Sequence, residues 1–348
     1  MHSLNASFSA TWQPFVLVAG LLLVGHAAAR DGLFAALGSL SARLPGRGVS
    51  LFVTTMLMVA LVSAVLNLDS AVVFMTPVAL NAARAKGADE TAFLYGTVFM
   101  SNSASLLLIG SNLTNILVIG NSTTSPAHFS ARMLAPWLLA VAVVIGVMLL
   151  WRWRFLRAPL AMSASERSGA VVGPGILATV FAVVLMLATR HPALLILSAG
   201  VLAEGWDLVR QRERKWRSRL AIISPFVLAT LFSVALLVGV LARHWTYPGR
   251  LLAHANVATT TTVAALSALA INNLPAASLF AAHQVAHPYA LLLGLDVGPN
   301  CLISGALSSL LWRRIVQRDG AQVSLRIFSL IGVVIALVTF ALALPVLN

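Results

Sequence analysis

The sequence predicts an all-α polytopic membrane protein of two inverted repeats, each with a re-entrant helical hairpin and a discontinuous transmembrane helix. Three observations predict it. Mean hydropathy is +0.92. Only 9% of the 348 residues are charged, against roughly 25% in a soluble domain. The apolar runs are continuous, unlike the short alternating segments of a membrane β-barrel, and polar residues, Gly and Pro interrupt them at matching places in the two halves.

Met1–Gln13 has no Lys or Arg, so the basic start of a secretory signal is missing. The first apolar run, Pro14–Ala29, therefore reads as a retained helix. Arg30–Gly48 holds a short interfacial helix. Val49–Leu66 is apolar and runs into Asn67-Leu68-Asp69-Ser70. The returning limb, Ala71–Ala83, is shorter than the roughly 20 residues that span a bilayer. Residues 49–83 therefore read as a hairpin whose two ends lie on one side. Thr91–Gly120 is a long apolar stretch broken by Ser101-Asn102-Ser103 and by Ser111-Asn112-Leu113-Thr114-Asn115. It predicts a discontinuous helix over 91–120. Met133–Trp151 spans, and a loop with Arg152, Arg154, Arg157 and Arg167 follows. That loop divides the chain into repeats at 1–160 and 161–348.

The second half repeats the plan. Val171–Thr189, Ala193–Ala203 and Ile222–Leu241 are read as spans, with a basic loop at Gly205–Arg219. Glu204 and Asp207, beside Trp206, read as interfacial anchors. Leu251–Ala270 leads to Asn272-Asn273-Leu274-Pro275, and Ala276–Ala282 returns, a second hairpin over 251–283. The next stretch, Leu291–Leu311, reads LLLGLDVGPNCLISGALSSLL. Gly-Pro in an apolar helix breaks it, because Pro lacks an N–H and Gly costs backbone entropy. Such a break survives at membrane depth only inside protein or beside a water-filled cavity. A second discontinuous helix is predicted over 289–312, and Leu325–Val346 is the last span.

The 23 Lys and Arg outnumber the 10 Asp and Glu, a net charge of +13. If hairpin one opens inward and hairpin two outward, all but Arg132, Arg190, Arg243 and Arg250 fall on one side. This is the positive-inside pattern. It explains the basic excess as topology, with a lipid bilayer and no nucleic acid as partner, and it puts the N-terminus outside.

Paired short or interrupted segments in matching places point to the solute site of a secondary transporter. Asp69 and Asp296 are the acidic residues deep in apolar segments. A carboxylate is costly there and is functional by default, so the pair is assigned to the coupling ion, a proton or Na⁺. Asn67, Ser111, Asn112, Thr114, Asn115, Asn272, Asn273 and Asn300 supply amides and hydroxyls to bind solute. A lone Asn in a span more often bonds a neighbouring helix. Clustering at four helix breaks favours the lining role. Thr259–Thr262 read as helical threonines bonded to their own backbone.

Other classes are excluded. One cysteine, Cys301, allows neither an internal disulfide nor a multi-cysteine metal site. As a free cysteine in an apolar run it reads as a small hydrophobe. His26, His254, His283 and His287 lack ligand spacing, and no P-loop is present. No metal, cofactor or catalytic residue is predicted, and the chain is not an enzyme.

NLDSAVVFMTP (Asn67–Pro77), GSNLTN (Gly110–Asn115), NNLP (Asn272–Pro275) and LLLGLDVGPNCLISGALSSLLW (Leu291–Trp312) resemble the ArsB arsenite-efflux permeases. These belong to the ion transporter superfamily, with the divalent anion/sodium symporters and citrate permeases. The resemblance implies a scaffold and a transport domain of two hairpins and two broken helices. It implies exchange of arsenite for protons, alone or with a cytoplasmic ATPase subunit. The basic stretch Gln211–Arg219 is the candidate dock for such a subunit, although fixing the orientation of the chain accounts for its charge better. No Lys or Arg lies deep in the expected spans, which suits a neutral solute such as As(OH)₃. The expectation is a proton-coupled arsenite/antimonite efflux permease of a bacterial inner membrane. The alternative is a cation-coupled symporter of organic or inorganic anions (citrate, dicarboxylate, sulfate). The oligomeric state is left open, a homodimer among the options.

Overall fold

The structure is a computed structural model that describes residues 2–43, 47–120, 124–160, 172–189, 191–211 and 225–347. The basic stretch 212–224, most of the expected ATPase dock, lies outside the described residues, as does 161–171 of the linker.

The chain opens with α1 (His2–Arg30) and the short α2 (Leu33–Arg43). The first hairpin is α3 (Gly48–Val65) and α4 (Leu68–Ala85). The first broken helix is α5 (Glu90–Ser103) and α6 (Leu113–Ile119), joined by 3₁₀ turns at Ala104–Leu106 and Ile109–Ser111. The long α7 (Pro126–Leu156) follows, then α8 (Pro174–Ala188) and α9 (Ala193–Gln211). The order then recurs. The long α10 (Pro225–His244) and short α11 (Tyr247–Ala253) precede a hairpin of α12 (Val257–Ile271) and α13 (Asn273–Ala281). The second broken helix is α14 (Pro288–Val297) and α15 (Leu307–Arg318), joined by 3₁₀ turns at Gly298–Cys301 and Ile303–Gly305. The last helix is α16 (Leu325–Leu347). Long helix, short helix, hairpin, broken helix, long helix thus occurs twice, with α8 and α9 between and packed on α1.

Close packing depends on small residues. Gly294 brings α14 against α12, where an added Cβ would meet the Thr261 carbonyl oxygen and Ala264. Gly332 brings α16 against the second break, where a Cβ would collide with the Asn300 carbonyl oxygen. Across the repeats the halves interlock. The second limb of each hairpin lies on the second half of the other repeat's broken helix, α4 on α15 and α13 on α6.

The hairpins open at opposite ends of the second broken helix. At the mouth of the first, Arg84 Nη1 lies 2.6 Å from Asp319 Oδ2, the C-cap of α15. The mouth of the second, after Ala281, leads directly to Pro288 at the start of α14. That opposition is the inversion expected from the charge pattern.

Glu204 is not an interfacial anchor. Because α9 runs on to Gln211, Glu204 sits within the helix and faces α1. It is buried, with Oε1 2.8 Å from His26 Nδ1 and Oε2 3.1 Å from Arg30 Nη2. The pairing removes the cost of leaving a buried charge alone.

Two outcomes follow. In a Cys301→Ser background, an impermeant maleimide should reach Gln284→Cys and Gln322→Cys, both exposed, from opposite vesicle orientations. Labelling of both from one side would refute the inversion. Gly332→Ala should lower stability by about 1–3 kcal/mol, since a backbone oxygen cannot yield as a side chain can. The read-out is melting temperature in detergent, with Gly146→Ala, whose Cβ meets nothing within 4 Å, as the neutral control.

Candidate functional site

The site grows from four helix starts. Asn67 caps α4, its Oδ1 accepting from the Ser70 backbone N–H at 2.7 Å. Asp69 lies in the first turn of that helix, where the helix dipole favours negative charge. Asn272 caps α13 and accepts from the Leu274 N–H at 3.3 Å. Its φ of 76° is a backbone region that Asn tolerates far better than β-branched or bulky residues. Its Nδ2 also donates to the Ser304 carbonyl at 2.9 Å, tying the second hairpin tip to the second break.

Asn112 caps α6 and accepts from the Thr114 N–H at 3.3 Å. Its Nδ2 donates to Asp296 Oδ1 at 2.9 Å and to Ser105 Oγ at 3.2 Å. Thr114 Oγ1 donates to the same Asp296 oxygen. The fourth start, α15, follows Ala306 and has no side-chain cap.

The two breaks are joined to each other. Asn102 Nδ2 donates to Asn300 Oδ1 at 3.0 Å, and Asn300 Nδ2 donates to Ser103 Oγ at 2.9 Å. Ser308 Oγ donates to Asn102 Oδ1 at 2.6 Å.

All four starts border one narrow cavity. Leu68 and Asp69 line it from α4, Asn112 and Leu113 from α6, Asn272, Asn273 and Leu274 from α13, and Leu307 and Ser308 from α15. Leu231 of α10 completes the wall. No Lys or Arg is among these residues. Asp69 is only 8% exposed, and its Oδ1 has no partner in the protein. Two separate grooves lie along the same helix pairs. One, between α4 and α15, is lined by Val73, Thr76, Pro77, Leu80, Ile315 and Val316. The other, between α6 and α13, is lined by Val118, Ile119, Phe280 and His283. They lead toward the two opposite hairpin mouths.

Of the residues singled out from the sequence, Asp69, Asn112, Asn272 and Asn273 line the cavity. The others stand behind it. Asn67 caps α4. Ser111 Oγ donates to the Ser105 and Leu108 carbonyls, and Asn115 Nδ2 donates to the same two at 2.8 and 3.1 Å. Thr114 holds Asp296, and Asn300 pairs with Asn102. Sequence reasoning missed Ser308, Asn102 as a crossing residue, and the five leucines. Ser308 had a signal, since it stands three residues after Gly305, in the first turn of α15. The leucines had none, because Leu in an apolar run is the default. Among the described residues no group of three His, Cys, Asp or Glu is placed to hold a metal.

The Asp296 contacts give a test. Thr114→Val keeps the shape but removes one of two donors to Asp296 Oδ1. A buried hydrogen bond is worth about 0.5–1.5 kcal/mol net, so the melting temperature should fall, and Thr114→Ser should restore it. An unchanged melting temperature in the Val variant would show that the contact does not stabilise the break.

A model of the citrate transporter family matches residues 4–298. The backbone is similar to the crystal structure of the YdaH transporter of Alcanivorax borkumensis, reported to have an unusual topology. The TM-score is 0.61 at 16% identity, over 99% of this chain and 86% of that one.

Proposed function

We propose that this chain, which belongs to the citrate transporter family and hence to the ion transporter superfamily, is a cation-coupled anion symporter working by alternating access. At the coarser level it is a multi-pass membrane secondary transporter and not an enzyme. The family match favours an anion over the arsenite expected from the resemblance.

The observation that carries the anion reading is the cavity at the helix starts. Those of α4, α13 and α15 border it, together with Asp69. A helix start carries roughly half a positive charge and leaves N–H groups without helical partners. Such ends bind anions without help from Lys or Arg. The lack of deep basic residues, which pointed to a neutral solute, is therefore compatible with an anion.

Asp69 then explains the coupling. Two unit charges about 4 Å apart repel by about 4 kcal/mol at an effective dielectric of about 20. One helix start contributes only about 0.3–1 kcal/mol. An anion beside ionised Asp69 is thus unfavourable until a proton or Na⁺ neutralises the carboxylate. Solute and cation bind together, which is symport. Asp296, held by Asn112 and Thr114, is the second coupling carboxylate. Asn273 and the second amide hydrogen of Asn272 contact the solute, and Asn112, whose amide hydrogens go to Asp296 and Ser105, lines the wall beside it. Asn67, Ser111, Thr114, Asn115 and Asn300 hold the starts in place. The two grooves are the alternating routes, and the basic side faces the cytoplasm of a bacterial inner membrane.

A second reading, proton-coupled arsenite/antimonite efflux, keeps the support of a cavity wall without basic side chains. In that reading a cytoplasmic ATPase subunit is an added partner. A homodimer fits either.

Proteoliposomes given labelled citrate, sulfate or arsenite, with an imposed Na⁺ or pH gradient, separate the two. Gradient-driven anion uptake is expected. Asp69→Asn should cut concentrative uptake by roughly tenfold or more yet retain exchange that ignores the gradient. Arsenite flux without anion flux would establish the second reading, and unchanged coupling in Asp69→Asn would remove Asp69 as coupler.

A further inference from the structure

The two ends of the molecule differ in charge in a way that topology does not require. The segments 1–13, 120–132, 189–192, 243–256 and 282–287 belong to the side of the second hairpin mouth, and none of them contains Asp or Glu. They hold Arg132, Arg190, Arg243, Arg250 and every histidine but His26. Every carboxylate other than Asp69 and Asp296 belongs to the opposite side, among the remaining Lys and Arg. The positive-inside rule sorts Lys and Arg, and Asp and Glu contribute little to it. It does not account for an end without carboxylates.

That end carries the groove between α6 and α13. Its volume is about 600 Å³, within the range of small-molecule sites, about 300–1,000 Å³. The cavity at the helix starts has about 20 Å³, room for about one water. Thr124, His283, Gln284 and Tyr289 are the polar lining of the groove. Basic side chains come to it from three directions. Phe129 of α7 packs on Tyr289, with ring centroids 6.0 Å apart, which brings the start of α7 to the groove with exposed His128 and Arg132. The His283 ring lies against Gly249 of α11, where an added Cβ would collide with it, and exposed Arg250 is the next residue. Ala281 and Ala282 line both the groove and a small neighbouring cavity that Arg243 lines.

Resting on the anion-symport reading, we infer that this groove is an outer loading site, where the positive field of a carboxylate-free end captures the anionic solute before it reaches the helix starts. A cleft lined by one sign of charge focuses the field and raises the local concentration of the opposite charge. No carboxylate on this end repels the incoming anion. Thr124, His283, Gln284 and Tyr289 can donate to its oxygens. The opposite end is built differently. There Arg84 pairs with Glu90 and Asp319, and Arg152 pairs with Asp89, so basic charge beside the first hairpin mouth is neutralised within the protein. Capture is thus built on the outer side, as import requires.

The test is initial uptake of labelled citrate and sulfate into right-side-out vesicles at fixed Na⁺ and pH, with vesicles lacking the protein subtracted. Choline chloride raises the outside ionic strength from about 0.01 to 0.15 M, which shortens the screening length from about 30 to 8 Å. Wild-type kcat/KM should fall several-fold over that range. In the double variant His128→Glu, Arg250→Glu the low-salt KM should rise by roughly tenfold, with kcat unchanged and the salt dependence flattened. Arg250→Gln, the milder change, should move KM the same way by less, which keeps the test open if the double variant does not fold. Arg326→Glu, exposed at the opposite end, should keep the wild-type KM. Wild-type KM and salt dependence in the groove variants would overturn the loading site and leave anion symport standing. An equal shift in Arg326→Glu would also overturn it, because the field would then belong to the molecule as a whole. Uptake of neither anion would overturn the symport reading as well.

Discussion

Each broken helix exposes backbone N–H and C=O groups at a depth where lipid offers no partner; side chains of the same break, of α7 and of the hairpins meet several of its carbonyls, and the two breaks bond to each other through their side chains. Asn102 and Asn300 bond across the crossing, and Ser308 closes on Asn102. Trp137 Nε1 of α7 donates to the Ala104 carbonyl at 3.0 Å, just after α5 ends. Asn272 reaches the Ser304 carbonyl from the second hairpin tip. An unsatisfied group there costs several kcal/mol, so each break depends on these partners. The crossing requires two repeats of opposite direction, and it brings four helix starts to one place.

That convergence changes how the charges read. The two deep carboxylates look equivalent along the chain, yet their surroundings differ. Asp296 Oδ1 receives two donors from α6 and its cap, and Asp296 stands outside the wall. Asp69 lines the cavity with one oxygen unpartnered. One carboxylate is built into the break, and the other is presented to whatever enters. The positive end of the field at the cavity comes from helix starts and not from basic side chains, so a count of Lys and Arg does not measure it.

The interlocked hairpins put a groove near each hairpin mouth. α4 on α15 forms a groove toward one mouth, and α13 on α6 forms its counterpart toward the other. Each wall couples the two repeats, so opening one groove moves residues of both. The ion pair of Arg84 with Asp319, with Glu90 at 3.0 Å, crosses the first mouth. Being partly exposed, it contributes little stability.

The sequence by itself determined the class of molecule, the two hairpins and the two breaks. Those features are local. A limb too short to span, an Asn-bearing tip and a Gly-Pro inside an apolar run each act through their own backbone. It also found Asp69, because a charge in an apolar run is costly wherever the chain goes. Only the tertiary structure decided that Asn112 and Thr114 hold Asp296 and that Asn102 meets Asn300, since pairs so far apart in sequence meet through packing alone. It moved Glu204 from the membrane surface to a buried pairing, because the length of α9 depends on what lies beside it. It also selected five leucines from many, since a side chain's role in a cavity is set by what faces it and not by its neighbours in the chain.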